Sequence, residues 1–309
     1  MANTDYQLII LGGGPAGLTA GLYAARDRLN ALLVEKGVVG GQVLVTDWID
    51  NYPGFPDGLS GFDLVEKMSA QAKRFGLETK NGNVVKLELS QTQKKLILES
   101  GEELTSQALI ICTGARPNKL GIPGEDKFTG KGVSYCATCD GPFYRDEEIF
   151  IVGGGDTAVQ EADFLTKFAS KVTVIHRRDT LRATKVLQEK AFANERVDFI
   201  WDANVIAIEG DREVERIRLR HNNGEEKEIA ARGIFILIGT IPNSEFLPLQ
   251  LLGGDDRGFI ITDDEMRTKV PGVMAAGDIR SKTVRQVING AGEGAVAAIA
   301  AEHFLSGLD

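Results

Sequence analysis

The stretch Gly12-Gly13-Gly14-Pro15-Ala16-Gly17 decides the fold of the first part of this chain. It follows a short apolar run at 7–11 and precedes an alanine-rich, periodic segment that reaches about Arg28. A second apolar run at 30–34 then ends at Glu35. Strand, glycine turn, helix, strand and acid in this order are typical of a dinucleotide-binding fold, because the glycines permit a tight turn beside a pyrophosphate and the acid can bind a ribose. A purely structural turn is the alternative.

The same pattern recurs in the second part of the chain. An apolar run at 148–152 leads into Gly153-Gly154-Gly155-Asp156-Thr157-Ala158, after which a helix is predicted to about Phe168. The next apolar run, at 171–175, ends in His176-Arg177-Arg178 instead of an acid, with Arg182 close behind. Guanidinium groups bind phosphate through paired N–H donors, so this strand end is predicted to bind the 2′-phosphate of NADPH in preference to NADH. A solvated basic patch is the alternative.

A cysteine pair with a two-residue gap, Cys136-Ala-Thr-Cys139, lies shortly before the second glycine turn and is followed by Asp140. Such a pair can open and close a small disulfide ring, and its place beside a nucleotide fold suggests redox chemistry. Asp140 is the nearest acid and the candidate for protonating a leaving thiolate, with a turn-forming Asp-Gly as the alternative. No metal is expected, because zinc needs about four ligands. Cys112 ends an apolar run and is predicted to be a core residue.

The composition disfavours several classes of function. A formal net charge of −9 disfavours non-specific binding to nucleic acid. No apolar run approaches the roughly 20 residues of a membrane span, and the N-terminal residues lack the pattern of a signal peptide. With only three cysteines, the chain is predicted to be cytoplasmic.

The order of the motifs predicts two interleaved domains. Apolar runs at 109–111 and 234–238 each end in a turn where the chain is expected to cross between domains. We therefore expect a first domain of residues 1–114 and 245–309, with residues 115–244 inserted in it. The predicted fold class is α/β, with two Rossmann-like (FAD/NAD(P)-binding, three-layer ββα) domains, the second inserted in the first.

The last part of the chain predicts one more cofactor contact. An apolar strand ends at Gly277-Asp278, a turn suited to the polyol chain of a cofactor. An alanine-rich helix is predicted at 291–304, with its N-terminus around Gly290-Ala291-Gly292 facing an electron-rich ring.

Together the motifs resemble those of the low-molecular-weight thioredoxin reductases over essentially the whole chain. They occur in family order: GGGPAG, GGQ at 40–42, IDNYPG at 49–54, CATCDG at 136–141, GGGDTA at 153–158, HRRDTLRA at 176–183, AAGD at 275–278 and RQV at 285–287. The resemblance implies a homodimer with FAD in the split domain and NADPH in the inserted one. It also implies the activity: NADPH reduces FAD, FAD reduces the Cys136–Cys139 disulfide, and the dithiol reduces oxidised thioredoxin. A glutaredoxin-like or peroxiredoxin-type partner is the close alternative, and a redox sensor without turnover the distant one.

The resemblance also assigns roles to residues. Cys139 is expected to face the flavin and Cys136 to attack the partner, with Asp140 as the acid. The residues implied for FAD are Gly12, Gly14, Pro15, Ala16, Gly17, Glu35, Lys36, Gly40, Gly41, Gln42, Asn51, Thr113, Gly114, Gly277, Asp278, Arg285, Gln286 and Val287. Those implied for NADPH are Gly153, Gly155, Asp156, Thr157, His176, Arg177, Arg178 and Arg182.

Two positions depart from the family pattern, since Cys112 stands where alanine is usual and Glu293 where a smaller or shorter polar residue is usual. The nicotinamide and the disulfide cannot both lie against the flavin at once. We therefore expect one domain to rotate between the half-reactions, with hinges near 114–117 and 240–245.

Overall fold

The computed structural model describes residues 4–46 and 48–307. The chain divides into two compact units. We call them the split unit (residues up to Arg116 and from Ile241 onward) and the inserted unit (Pro117–Thr240).

The elements follow one another along the chain. The first part of the split unit contains β1 (Tyr6–Leu11), α1 (Pro15–Arg26), β2 (Ala31–Glu35), a 3₁₀ turn (Gly41–Val45), α2 (Gly61–Arg74), β3 (Glu78–Asn81), β4 (Val84–Leu89), β5 (Lys94–Leu98) and β6 (Glu103–Ile111). The inserted unit with its two connections contains β7 (Ala115–Pro117), β8 (Val133–Ser134), α3 (Ala137–Asp140), a 3₁₀ turn (Gly141–Tyr144), β9 (Glu148–Val152), α4 (Asp156–Leu165), β10 (Lys171–Ile175), α5 (Lys185–Ala193), β11 (Val197–Ile200), β12 (Ala203–Glu209), β13 (Arg216–His221), β14 (Glu226–Ala230), β15 (Gly233–Ile236) and β16 (Thr240–Pro242). The split unit then ends with α6 (Leu249–Leu252), β17 (Val273–Ala275) and α7 (Val287–Ser306).

One sheet forms the centre of the split unit, with strand order β3-β2-β1-β6-β5-β4 and β17 also paired to β6. The pairs among β3, β2, β1, β6 and β17 are parallel, and those of β5 with β6 and β4 are antiparallel. Along β1, Leu8 and Ile10 pack on the side of α1, while Ile9 and Leu11 pack on the opposite face. A strand buried on both faces has to be apolar throughout, which is why the runs at 7–11 and 30–34 are visible in the sequence as β1 and β2.

The long C-terminal helix α7 begins earlier than predicted. Its first residue is Val287, because Gln286 is extended (φ −130°, ψ 153°). The predicted start around Gly290-Ala291-Gly292 is therefore wrong. Gly290 and Gly294 are buried, and a Cβ on Gly294 would lie 2.1 Å from the carbonyl oxygen of Ala16. These glycines permit close packing of α7 on α1 and do not mark a helix end.

The inserted unit has three layers. A parallel sheet of order β11-β10-β9-β15-β8 lies beside an antiparallel sheet of β12, β13 and β14. Along β9, Ile149 and Ile151 pack with residues of α4, whereas Phe150 and Val152 pack with residues of the antiparallel sheet. This alternation places the parallel sheet between helices and a second sheet, which confirms the predicted ββα class.

The sequence predicted the first strands of this unit closely. β9 and β10 span the runs 148–152 and 171–175 residue for residue. The following helix is shorter than predicted, since α4 ends at Leu165. The amides of Lys167 and Phe168 bond carbonyls three residues back, which tightens the chain into turns beyond that point.

The two connections between the units run side by side. β7 and β16 form a two-stranded sheet, flanked by Gly114 (φ +68°) and Gly239 (φ +112°). Arg116 of β7 donates to Asn243 Oδ1 (2.6 Å) and to Glu245 Oε1 (2.5 Å). Among the residues that the structure describes, no helix is long and apolar enough to cross a membrane.

Candidate active site and nucleotide sites

The two cysteines predicted as a redox pair form a disulfide. Their Cα atoms are 5.3 Å apart. Cys136 precedes the single-turn helix α3, and its Sγ accepts a hydrogen bond from the amide N–H of Cys139 (3.2 Å). Both side chains are half-buried. A donor directed at Cys136 Sγ stabilises negative charge on that sulfur when the bond is open.

A buried serine joins the pair to the predicted acid. Ser134 Oγ lies 2.5 Å from Asp140 Oδ2 and accepts the amide N–H of Cys136 (3.1 Å). The side chain of Ser134 is only 3% exposed. Sequence reasoning missed Ser134, because a serine two residues before a cysteine carries no signal of its own. Burial raises the pKa of the neighbouring Tyr144 to about 12, and the negative charge of Asp140 adds to the shift.

The third cysteine, Cys112, is buried in the split unit. Cys112 is 6% exposed and is the free cysteine of the chain. Burial raises the pKa of its thiol, and the carboxylate of Glu293 acts in the same direction. A thiol with so little thiolate character is a core residue, as predicted. In the described part of the chain, no group of three or more His, Cys, Asp and Glu residues could hold a metal ion.

The first glycine turn leaves space at its centre. A Cβ on Gly12 (φ +108°) would lie 2.3 Å from the carbonyl oxygen of Cys112, whereas no described atom lies within 4 Å of a Cβ on Gly14. Gly14 is the N-cap of α1, and no side chain of the described residues caps this helix. The amides at the start of α1 are thus available to an anion. Glu35 accepts the N–H groups of Gly13 (2.7 Å) and Gly37 (3.0 Å), which places its carboxylate beside the turn.

A second glycine segment lies against the first. The amide of Gly40 donates to the carbonyl of Gly13 (2.8 Å), and a Cβ on Gly41 would lie 3.2 Å from the Cα of Gly14. Both Gly40 (φ +137°) and Gly41 (φ +61°) have backbone angles that favour glycine. The turn and the GGQ motif therefore form one cradle.

Two buried polar atoms of the split unit lack a partner among the described residues, namely Thr113 Oγ1, in the segment against Gly12, and Arg285 Nε. The guanidinium of Arg285 lies 4.5 Å from the ring centre of Phe259 and donates to the carbonyl of Lys282 (2.9 Å). Buried polar groups are normally hydrogen-bonded, so these atoms indicate a polar ligand at this site. The donor set fits a dinucleotide such as FAD.

Glu293, the residue that departs from the family pattern, belongs to a charged cluster. Its carboxylate accepts the amide N–H of Gly277 (2.7 Å) and pairs with Arg280 (2.7 Å) and Lys282 (3.2 Å). Burial raises the pKa of Asp278, while Lys282 at 3.4 Å opposes the shift. Glu293 thus fixes the Gly277-Asp278 turn, a role that its position in the sequence did not reveal.

The remaining residues implied for FAD all lie in the split unit. Asn51 Nδ2 donates to Gln286 Oε1 (3.2 Å), next to the start of α7. Val287 packs into a small apolar cluster with Ile49 and Leu59. Lys36 and Gln42 are exposed.

The second glycine turn repeats the geometry of the first. A Cβ on Gly153 would lie 2.7 Å from the carbonyl oxygen of Leu237, whereas no described atom lies within 4 Å of a Cβ on Gly155. Gly155 is the N-cap of α4, and Asp156 accepts the amide N–H of Thr184 (2.7 Å). The space at Gly155 is suited to a pyrophosphate.

His176 lies directly against this turn. A Cβ on Gly154 would lie 2.2 Å from Cε1 of its ring, and Nε2 has no hydrogen-bond partner in the described residues. Burial lowers the pKa of His176, and the positive charges of Arg182 and Arg177 add to the effect. The guanidinium groups of Arg177, Arg178 and Arg182 are exposed and form no ion pair with any described residue. A buried, unpartnered ring nitrogen beside exposed arginines fits a phosphorylated nucleotide.

Comparisons with known proteins agree with this arrangement. The family model "Pyridine nucleotide-disulphide oxidoreductase" matches residues 6–294. The chain is 47% identical over 307 residues to the thioredoxin reductase of Peptoclostridium acidaminophilum, with 97% of each chain covered. It is 44% identical over 306 residues to that of Bacillus subtilis, covering 98% of this chain and 96% of the relative.

A solved structure agrees as well. The crystal structure of thioredoxin reductase from Streptococcus pyogenes matches with a TM-score of 0.95 at 45% identity, covering 99% of this chain and 100% of that one. The similarity to these proteins extends over the full length of the chain and includes both glycine turns and the disulfide turn. This chain belongs to the thioredoxin reductases within the pyridine nucleotide-disulphide oxidoreductase family.

Proposed function

We propose that this protein reduces oxidised thioredoxin with NADPH, through FAD and the Cys136–Cys139 disulfide. The disulfide carries the proposal, because it stands in the same unit as a nucleotide turn and its sulfurs are half-buried. The relatives reported above are thioredoxin reductases, so a glutaredoxin-like or peroxiredoxin-type partner is not favoured.

The cysteines perform the exchange with the partner. Cys136, as a thiolate, attacks the partner's disulfide, so that one S–S bond forms and the partner's own S–S bond breaks. The departing sulfur takes a proton from Asp140, which had received it from Cys136. Cys139 then gives up its proton and attacks Sγ of Cys136, which restores the Cys136–Cys139 bond. The second partner sulfur leaves as a thiolate and takes up the proton that Cys139 released. Two electrons have passed from the dithiol to the partner.

Other residues of the chain bind the two nucleotides that deliver those electrons. FAD, when bound, passes to the disulfide the electron pair that NADPH delivers as hydride. In the split unit, Gly14 admits the pyrophosphate, Glu35 takes a ribose, and Thr113 and Arg285 hold polar groups of the cofactor. In the inserted unit, Gly155 and His176 serve NADPH in the same way, and Arg177, Arg178 and Arg182 take its 2′-phosphate.

The first experiment is an anaerobic titration of the FAD-loaded protein with NADPH, followed by oxidised thioredoxin. We expect the flavin band to bleach and to return on addition of thioredoxin in the wild type but not in Cys136→Ser. A band that NADPH does not bleach would contradict the proposal. Bleaching that thioredoxin does not reverse would leave a flavin enzyme with another disulfide partner.

We also propose a cytoplasmic homodimer. One face of α7 exposes the apolar side chains of Ile288, Val296 and Ile299, which suits contact with a second copy. The free thiol of Cys112 suits a reducing compartment. Light scattering coupled to gel filtration and cell fractionation test the two statements.

Rotation of one unit between the half-reactions stays a prediction. The paired connections β7 and β16, with positive φ at Gly114 and Gly239, supply the backbone freedom that such a rotation needs. A cross-link that joins the two units is expected to abolish turnover, and undiminished turnover would refute the rotation.

A further inference from the structure

We propose that Ser134 is a positioning residue for thiol–disulfide exchange, in that its buried hydroxyl holds the carboxylate of Asp140 against the backbone of Cys136. The inference rests on the proposed function, since it concerns how the acid of that reaction is placed.

Backbone pairing in the parallel sheet holds Ser134 in place independently of its side-chain hydrogen bonds. It is the last residue of β8, the edge strand of the parallel sheet, and it pairs with Phe235 of the buried strand β15. With 3% exposure it has no access to solvent or to a partner protein. The chain then reaches Cys136 two residues later and Asp140 at the end of α3. Ser134 is thus held by the sheet at the start of the segment that carries the cysteines and the acid.

The donors and acceptors around this hydroxyl determine where its proton points. Ser134 Oγ lies 2.5 Å from Asp140 Oδ2 and 3.3 Å from the carbonyl oxygen of Cys136. A hydroxyl has one proton, and the carboxyl oxygen of Asp140 lies 0.8 Å nearer than the carbonyl oxygen of Cys136, so it is the better acceptor. The hydroxyl therefore donates to Asp140, while its lone pair accepts the amide N–H of Cys136 (3.1 Å). One oxygen atom connects the backbone of the attacking cysteine to the acid.

This hydrogen bond limits the rotamers that the side chain of Asp140 can adopt. A carboxylate on a half-exposed turn samples several rotamers in water, and only some of them bring it near a departing sulfur. The bond to Ser134 selects one rotamer and keeps it at a constant distance from Cys136. The contribution of Ser134 to the rate should then exist only while an aspartate stands at position 140, because only its carboxylate is within reach of this hydroxyl.

The experiment is a double-mutant cycle with Ser134→Ala and Asp140→Asn. Pre-reduced, FAD-loaded enzyme is mixed with oxidised thioredoxin, and the single-turnover rate is measured as a function of thioredoxin concentration. We expect Asp140→Asn to lower the limiting rate by about 10²-fold or more and Ser134→Ala to lower it by roughly tenfold. The double variant should match Asp140→Asn, and the half-saturating concentration of thioredoxin should stay the same in all of them.

A matched control separates positioning from loss of a buried hydroxyl. Thr166 is also 3% exposed, donates to the carbonyl of Asp163 (2.7 Å) and accepts from Asn194 (3.1 Å). Thr166→Val should leave the single-turnover rate at the wild-type value. Asp140→Glu keeps the acid but moves it by one methylene, so it should be slow, and adding Ser134→Ala to it should cost nothing further.

The outcomes are distinguishable. A wild-type rate in Ser134→Ala, a multiplicative loss in the double variant, or a change confined to the half-saturating concentration would each overturn the role of Ser134 and leave the proposed function intact. Thioredoxin reduction that survives Cys136→Ser would overturn the proposed function itself. If Ser134→Ala does not fold, the two Asp140 variants still decide, because Asp140→Glu at the wild-type rate would refute precise positioning.

Discussion

Two neighbouring glycines of the second turn allow packing to be separated from ligand binding. In Gly154→Ala the new Cβ would lie 2.2 Å from Cε1 and 2.3 Å from Nδ1 of His176, so the ring has to move by about 1.2 Å to reach an ordinary contact of 3.4 Å. The ring is buried, and its centre lies 6.4 Å from the ring centre of Trp201 in an edge-to-face arrangement. Overpacking of this kind costs about 1–3 kcal/mol. At roughly 4 °C per kcal/mol, the inserted unit should melt about 4–12 °C lower.

Gly155→Ala is the matched change. No described atom lies within 4 Å of the new Cβ, and φ of −92° is allowed for alanine. The loss of N-cap preference, roughly 0.5–1 kcal/mol, is offset by a similar gain because alanine lowers the conformational entropy of the unfolded chain. The melting temperature should therefore shift by less than about 2 °C. The methyl group occupies the space suited to the pyrophosphate, and NADP(H) should bind at least about tenfold more weakly.

The assay combines thermal unfolding followed by circular dichroism with calorimetric titration of NADP⁺ into the FAD-loaded protein. The expected pattern is a large loss of stability in Gly154→Ala and a loss of affinity without a loss of stability in Gly155→Ala. Unchanged affinity in Gly155→Ala would refute the assignment of this turn to the nucleotide. An unchanged melting temperature in Gly154→Ala would refute the rigid contact with His176.

Three further predictions concern single side chains. Arg178→Gln should lower kcat/KM for NADPH by roughly 10- to 100-fold and leave kcat/KM for NADH unchanged. The control Lys190→Gln, which removes an ion pair with Asp163 in the same unit, should change neither value. Equal losses with both nucleotides in Arg178→Gln would contradict the phosphate role. Thr113→Val removes a buried hydroxyl without a partner in the described residues, so the FAD-free protein should be as stable as the wild type or more so. FAD should bind about 3- to 10-fold more weakly, as measured by fluorescence titration. Unchanged FAD affinity would refute a contact between the Thr113 hydroxyl and FAD. The pKa of His176 is lowered from 6.5 in the folded protein, so below pH 6.5 the unfolded chain binds more protons, and stability present above pH 6.5 is lost as the pH falls towards the folded pKa. Between pH 7.5 and 5.5, urea unfolding should therefore show a smaller loss of unfolding free energy in His176→Asn than in the wild type. An identical loss in both would exclude His176 as the cause.

Local pattern was sufficient for the nucleotide folds. The strands β1, β9 and β10 are mainly apolar because most of their residues are buried on both faces of a sheet. The glycines at 12 and 153 stand where backbone from a neighbouring strand leaves no room for a side chain. The apolar run and the glycine follow each other within a few residues, so the combination is visible in the sequence even though the backbone that each glycine meets, at Cys112 and Leu237, is distant in sequence.

Side-chain contacts that depend on how the elements fold onto one another left no such trace. Ser134 meets Asp140 only because α3 folds back on the end of β8, and Glu293 reaches Gly277 only because α7 packs beside β17. Gly290 was misinterpreted for the same reason, since a glycine that marks a helix end and one that admits a neighbouring helix are indistinguishable without the partner α1. Serine and glutamate at these positions have no periodicity or spacing that predicts a partner.

The interleaving of the two units dictates an order of events during synthesis. The inserted unit is one continuous segment, Pro117–Thr240, so it can fold as soon as it leaves the ribosome. The split unit has to wait for β17, which pairs with residues 109–111 of β6, and for α7, which packs on α1. At roughly 5–20 residues per second, synthesis from the end of β6 at Ile111 to the end of α7 at Ser306 takes about 10–40 seconds. Throughout that time the C-terminal half of β6 has an unpaired apolar edge, which makes the amino-terminal segment the aggregation-prone part of the nascent chain.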